Sequence, residues 1–116
     1  MGCPTSVAPW QAYTGTLSGH ATADVTIIGA TGSPVPAGAT IVFCRLVAKA
    51  TSVDSSTALV MMDHTFSLYY STVWCQVANL NIETLGFCAL DGGHVYLKNF
   101  GATNSITAYL YVLGYS

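Results

Sequence analysis

The sequence predicts an all-β chain, an antiparallel β-sandwich of jelly-roll type. Val, Ile, Thr, Tyr, Phe and Trp dominate short segments along its length. Clusters of Gly, Pro, Asn, Asp and Ser interrupt those segments at short intervals. No stretch has apolar residues at a period of 3.6 with caps at both ends. At 116 residues the chain makes one domain, expected as an N-terminal arm over residues 1–12 and a sandwich over residues 13–116.

The segment Met1–Gln11 has two prolines, Pro4 and Pro9, and no strand pattern. It reads as an extended arm lying across a neighbour, with Trp10 as its anchor. Strands are expected at Tyr13–Ser18, Ala21–Ile28, Thr40–Ala50, Ala58–Met62, Thr65–Tyr70, Thr72–Ala78, Thr84–Leu90, His94–Asn99 and Ser105–Leu113. Between them stand Gly29-Ala30-Thr31-Gly32-Ser33-Pro34, Asp54-Ser55-Ser56, Asp91-Gly92-Gly93 and Gly101-Ala102-Thr103-Asn104. Asp91-Gly92-Gly93 predicts a tight hairpin, because its glycines accept positive φ without strain. Pro36 is barred from a central ladder position and leads into an edge or a new strand. A single helical turn is expected near Asn79–Thr84.

Alternation along the strands is the informative detail. Ala21, Ala23, Val25 and Ile27 form one face and Thr22, Asp24, Thr26 and Ile28 the other, which predicts one wet side. Thr40–Ala50 is apolar on both sides: Ile41, Phe43 and Val47 stand with Arg45 and Lys49 opposite Val42, Cys44, Leu46, Ala48 and Ala50. Near the C-terminus, Ile106, Ala108, Leu110 and Val112 oppose Thr107, Tyr109, Tyr111 and Leu113. A lone sandwich buries only one face of each strand. The second apolar faces therefore predict a further partner, either another copy or a larger assembly.

Charge is scarce. Arg45, Lys49 and Lys98 stand against Asp24, Asp54, Asp63, Glu83 and Asp91, for a net charge of −2. An average domain of this size carries about 29 charged residues. Three cations cannot neutralise a run of phosphates, so charge-driven nucleic-acid binding and a polybasic membrane patch are both excluded. With 52% apolar residues the chain has ample material for a core, which excludes disorder. The first ten residues carry no basic residue and no apolar run of seven, and are read as no signal peptide. No apolar stretch is long enough for a transmembrane helix. Met1-Gly2-Cys3-Pro4-Thr5-Ser6 fits the acylation pattern, with Cys3 as a palmitoyl candidate, but lacks basic support, and the reading is against modification. Cys44, Cys75 and Cys88 read as small apolar core residues with free thiols, since no Cys-x-x-Cys pair occurs.

Chemistry is poorly represented. His20 and Asp24 share a strand face but lie about 13 Å apart along it, too far to share a metal. Asp63 and His64 are adjacent and are expected on opposite faces. Asp91 and His94 flank the hairpin turn and are expected to hydrogen-bond across it. Neither a nucleophile elbow nor a phosphate loop followed by Lys occurs. The carboxylates are scattered, so no general acid–base pair emerges. The expectation is no enzyme, no cofactor and no metal. Aromatics offer a second functional class, because Tyr69-Tyr70 and Tyr109, Tyr111 and Tyr115 are candidate platforms for a glycan.

Two segments carry a resemblance. Ile106-Thr107-Ala108-Tyr109-Leu110-Tyr111-Val112-Leu113-Gly114-Tyr115 resembles the last strand of small β-sandwich modules from tailed-bacteriophage virions. Val35-Pro36-Ala37-Gly38-Ala39-Thr40-Ile41-Val42 resembles the lead-in to a long central strand in the same group. Such modules occur as capsid decoration (cement) proteins and as heads of fibres. The chain contains no fibre shaft or coiled coil, which favours decoration. The resemblance implies a virion structural protein on the capsid surface, made in the host cytoplasm and partnered by itself as a homotrimer and by the major capsid protein. The expected interface is Trp10, Tyr13, Tyr109, Tyr111, Leu113 and Tyr115. A glycan-binding module of a fibre or adhesin is the alternative, and a filament subunit with a strand-donating arm the second.

Overall fold

The computed structural model describes residues 4–116. Eight strands follow one another: β1 (Thr5–Leu17), β2 (Thr22–Thr26), β3 (Ile41–Lys49), β4 (Ala58–Met62), β5 (Tyr69–Trp74), β6 (Ile82–Ala89), β7 (His94–Asn99) and β8 (Ile106–Tyr115). They form two antiparallel sheets of four, ordered β1-β8-β3-β6 and β2-β7-β4-β5. The pairings β1 with β8, β2 with β7, β3 with β6 and β4 with β5 nest inside one another. That nesting is a long hairpin rolled into two layers, the jelly-roll arrangement. The all-β sandwich expected from the sequence is the fold.

The inner faces follow the alternation. Val42, Cys44, Leu46 and Ala48 of β3 meet Ile106, Ala108, Leu110 and Val112 of β8 in one sheet. Val25, Leu59, Met61, Val73, Val95 and Leu97 face them from the other. Each large aliphatic side chain so buried contributes on the order of 1.5–3 kcal/mol. β4 is buried on both faces. Its outward Met62, 2% exposed, stands in register between Tyr69 of β5 and Tyr96 of β7.

The arm is different from its expectation. Residues 1–3 lie outside the described residues, and so do the acylation pattern's Gly2 and Cys3. From Thr5 onward the expected arm is the first half of β1, the edge strand of its sheet. Its missing strand pattern has a physical cause. The ladder to β8 shifts register between Ser6 and Trp10 and again between Gln11 and Tyr13. The first inserts two residues relative to β8 and the second inserts one, which inverts the alternation; Pro9 falls within the first, where its absent N–H leaves no ladder bond unmade.

The two strands expected at Thr65–Tyr70 and Thr72–Ala78 are one, β5. Residues 65–68 instead wrap the Asp63 carboxylate, described below. The helical turn expected near Asn79–Thr84 is absent: Asn79 has φ 62°, and the chain enters β6 at Ile82. The Asp91-Gly92-Gly93 hairpin forms as expected. Asp91 and His94 exchange backbone hydrogen bonds of 2.9 and 3.0 Å, and Gly92 and Gly93 have φ 59° and 83°, the signs that a two-residue type I′ turn requires.

One buried polar side chain ties the far ends of the chain together. Asn99 has 0% exposure. Its Nδ2 donates to the carbonyls of Leu17 (3.0 Å) and Asn104 (2.7 Å), and its Oδ1 accepts from the Gly101 N–H at 3.1 Å. It thereby fastens the end of β1 to the β7–β8 connection. Asn99→Ala strands two carbonyls and an N–H in the interior. It is expected to lower stability by about 2–4 kcal/mol, read as a fall in the urea midpoint with an unchanged slope.

Candidate interaction surfaces

Register places each residue of the expected interface, and three of the six turn away from it. Trp10 pairs with Val112 and Tyr13 with Leu110, both on the inner side of the sheet. Trp10 packs half-buried against the core with its indole nitrogen beside Gly32, and the Tyr13 ring folds over Gly15. Leu113 is the extra residue of a bulge in β8 opposite Phe43 and Cys44. Past that bulge Tyr115 pairs with Val42 and packs on the core. Tyr109 and Tyr111 do face outward, in register with Val47 and Arg45 of β3. Strand alternation splits the Tyr69-Tyr70 platform: Tyr69 is 58% exposed, whereas Tyr70 packs against the core.

On the outer face of β1-β8-β3-β6, Arg45 lies over the Tyr111 ring, with its guanidinium carbon 4.5 Å from the ring centroid. Its Nε is 3.9 Å from Glu83 Oε2, close enough for attraction but too far for a hydrogen bond. That nitrogen is buried with no hydrogen-bond partner, and the π face of Tyr111 supplies the compensating interaction. The exposed Arg45–Glu83 pair adds about 0–1 kcal/mol.

The largest apolar exposure lies elsewhere. Among the described residues, eight large apolar side chains stand well exposed: Leu68, Tyr69, Trp74, Val77, Leu80, Leu85, Phe87 and Phe100. Seven of these fall between Leu68 and Phe87, a stretch whose one charged residue is Glu83. β5 and β6 lie side by side where they close one flank of the sandwich. The Phe100 ring links Tyr69 and Trp74, with centroids 6.5 and 6.1 Å away. Phe87 meets Phe43 at 6.4 Å. Leu85 reaches 70% exposure. The sequence signal was present as a run of apolar residues. Which of them point out is fixed by register with β3, where Cys44 faces Gly86 and so turns Leu85 and Phe87 to solvent.

The acidic residues, in contrast, hold turns. Asp63 Oδ1 accepts from the N–H groups of Ser67 and Leu68, both at 2.9 Å, and Oδ2 from the Thr65 hydroxyl. The Thr65 hydroxyl bond and the Leu68 N–H hold its carboxyl well below the usual carboxylate range. Asp54 Oδ1 accepts from Ser56 N–H at 2.8 Å, and its Oδ2 from Thr103 and Asn104 side chains at 3.2 Å, so it bridges two loops. The Ser56 bonds lower its pKa. His94 pairs with Asp24 at 2.7 Å, and the His64 ring donates to Asp91 Oδ2. The side-chain bond expected between Asp91 and His94 is therefore replaced by two separate pairs. The cause is that β2 sets Thr26 beside His94, with Asp24 one step along the same face.

Asp63, His64 and Asp91 bring three donor atoms within 4.8 Å of one another. Both Asp63 oxygens are already saturated by the turn, and His64 Nδ1 is engaged by Asp91. The cluster is a lock on the 63–68 turn rather than an open ligand set. Cys44, Cys75 and Cys88 are buried free thiols, and burial pushes Cys44 and Cys88 up to about 12, far from a reactive thiolate.

The Asp91 hydrogen bond and charge raise the pKa of His64, and the His64 N–H and ring lower that of Asp91. A raised histidine stabilises the fold below its unfolded value and stops doing so as pH rises through its folded value. A lowered carboxylate stabilises above its unfolded value and fails as pH falls through its folded one. The pair therefore acts between those two limits. His64→Gln is expected to lower the urea midpoint at about pH 5 and to have a smaller effect at about pH 9.

Neither a protein-family model nor a curated protein sequence matches the chain.

Proposed function

We propose that the protein is a structural module of a virion, a decoration protein that joins capsid-surface neighbours through apolar contact. The observation that carries this reading is the β5–β6 flank: seven well-exposed large apolar side chains in the stretch Leu68–Phe87, with one charge among them. An isolated domain keeps such patches small, and a contiguous one marks a surface that is covered in use. The flank has two outward faces, Tyr69 and Trp74 on one sheet and Leu85 and Phe87 on the other. A surface of that shape can meet two different neighbours, and head-to-tail contacts of this kind close into rings such as a trimer.

The fold is compatible with this role. Jelly rolls occur in viral capsid and lectin domains, a likeness of architecture that does not itself assign function. The filament alternative has less support. The free edge of β1 carries Pro9 and two bulges, devices that discourage strand addition. The apolar flank carries no motif of a reacting group, so the proposal is binding without catalysis.

Wild-type protein is expected to scatter light as a multiple of 12.1 kDa. That mass should be the same at about 0.1 and about 1 M NaCl, because few ion pairs are available to screen. The double variant Leu85→Lys and Phe87→Lys changes exposed positions, so its circular dichroism should be unchanged, and its mass should fall to that of one chain. Capsid shells of the same virus are expected to retain the wild type on sedimentation and to lose the variant. A wild type that stays at 12.1 kDa and leaves such shells bare would overturn the proposal.

A further inference from the structure

On the side of the sheet away from β6, the ends of β1, β8 and β3 form an open cleft of about 360 Å³, lined by Thr16, Lys49, Thr51, Ser105, Thr107 and Tyr109. Its floor is one row of the ladder. Thr16 faces Thr107 and Thr107 faces Lys49, three neighbouring side chains spanning about 10 Å across the strands. Tyr109, two residues along β8 on the same face, walls the row. Thr51 and Ser105 come from just beyond the strand ends. The lining is thus four aliphatic hydroxyls, a phenol and one ammonium, with no carboxylate and no aliphatic apolar side chain. Thr16 Oγ1 and Thr107 Oγ1 are 3.5 Å apart, a weak contact that leaves both free for stronger partners.

Lys49 makes no ion pair among the described residues. In a chain with three cations, Arg45 already stacks on Tyr111 near Glu83, and Lys98 stands on the other sheet. The single free cation on this face is therefore the one set among hydroxyls. Each class of ligand can be judged against that lining. An apolar molecule would bury against the threonine methyls and the Tyr109 ring but leave the hydroxyls and the ammonium unpartnered. A polyphosphate or nucleic acid brings several charges to one ammonium. A molecule with one carboxylate, several hydroxyls and a ring with an apolar face matches every group present.

We propose that this cleft binds an acidic sugar, a uronate or sialate residue. Its carboxylate meets the Lys49 ammonium. Its hydroxyls exchange hydrogen bonds with Thr16, Thr51, Ser105 and Thr107, and its ring lies against Tyr109. The volume falls in the lower part of the range of small-ligand sites, about 300–1,000 Å³, which suits one monosaccharide unit. The cleft shares the outer face of its sheet with Leu85 and Phe87 but lies toward the Lys49 end of β3, whereas they stand beside Arg45 and Phe43.

The test is an amide-shift titration of the full-length chain by nuclear magnetic resonance. The probes are methyl glucuronoside, the methyl glycoside of N-acetylneuraminic acid, neutral methyl glucoside and sodium acetate. Amides of Lys49, Thr51, Thr107 and Tyr109 should shift with an acidic sugar at millimolar concentration, and less with the neutral sugar or with acetate. Lys49→Gln should weaken acidic-sugar binding about tenfold or more and erase the preference over the neutral sugar. Thr51→Val, beyond the strand end, should weaken it without touching the ladder. The Leu85→Lys and Phe87→Lys variant should bind as the wild type does, which separates this site from the assembly role. No shift at these amides with either acidic sugar would overturn the proposal, as would equal affinity for acetate or full affinity in Lys49→Gln.

Discussion

A two-layer sandwich hides one face of each strand, and the other face must be wetted or covered. This chain has 8 charged residues with which to wet 5763 Å² of surface, and most of its architecture follows from that shortage. Where the outer faces carry threonine, serine and tyrosine, hydroxyls supply the wetting, as along Thr16, Thr107 and Tyr109. Where they carry leucine and phenylalanine, as on β6, nothing among the described residues covers them. On β4 the problem is solved internally, because the strand lies between β5 and β7 and is buried on both faces.

The few carboxylates are engaged in local geometry rather than in solubility. Asp63 closes the 63–68 turn, Asp54 links its own turn to the Thr103–Asn104 loop, and Asp24 and Asp91 each hold a histidine. Glu83 alone leans toward a cation across the sheet, and loosely. Because these acids have donors before any ligand arrives, the fold offers little free negative charge. Among the described residues, the free functional groups that remain are apolar, hydroxylic or, at Lys49 and Lys98, cationic.

Much of the fold was legible in the sequence because alternation is a local property. The limits of β4 and β7 coincide with those expected, and the inward face of β3 is the one its period-2 pattern gives, with Val47 of the outer face buried as well. What escaped was non-local. A bulge adds one residue and reverses every side chain beyond it, and no local pattern announces it. That is why Trp10, Tyr13 and Tyr115 point to the core instead of a partner. The arm became a strand because β8, about a hundred residues later, supplies its ladder. The turn at 65–68 was hidden because Asp63 organises it through side-chain bonds. The cleft joins residues from the two ends and the middle of the chain, so only the nested pairing brings them together.

The thiols of Cys44, Cys75 and Cys88 sit against the interior, and burial holds them protonated. Oxidants and alkylating reagents act on exposed thiolates, so the closed sandwich denies them these three targets. Each time the two layers part, the sulfurs meet solvent. A label that reacts faster than the layers reclose would then count those openings, making the interior sulfur a clock of how often the layers breathe.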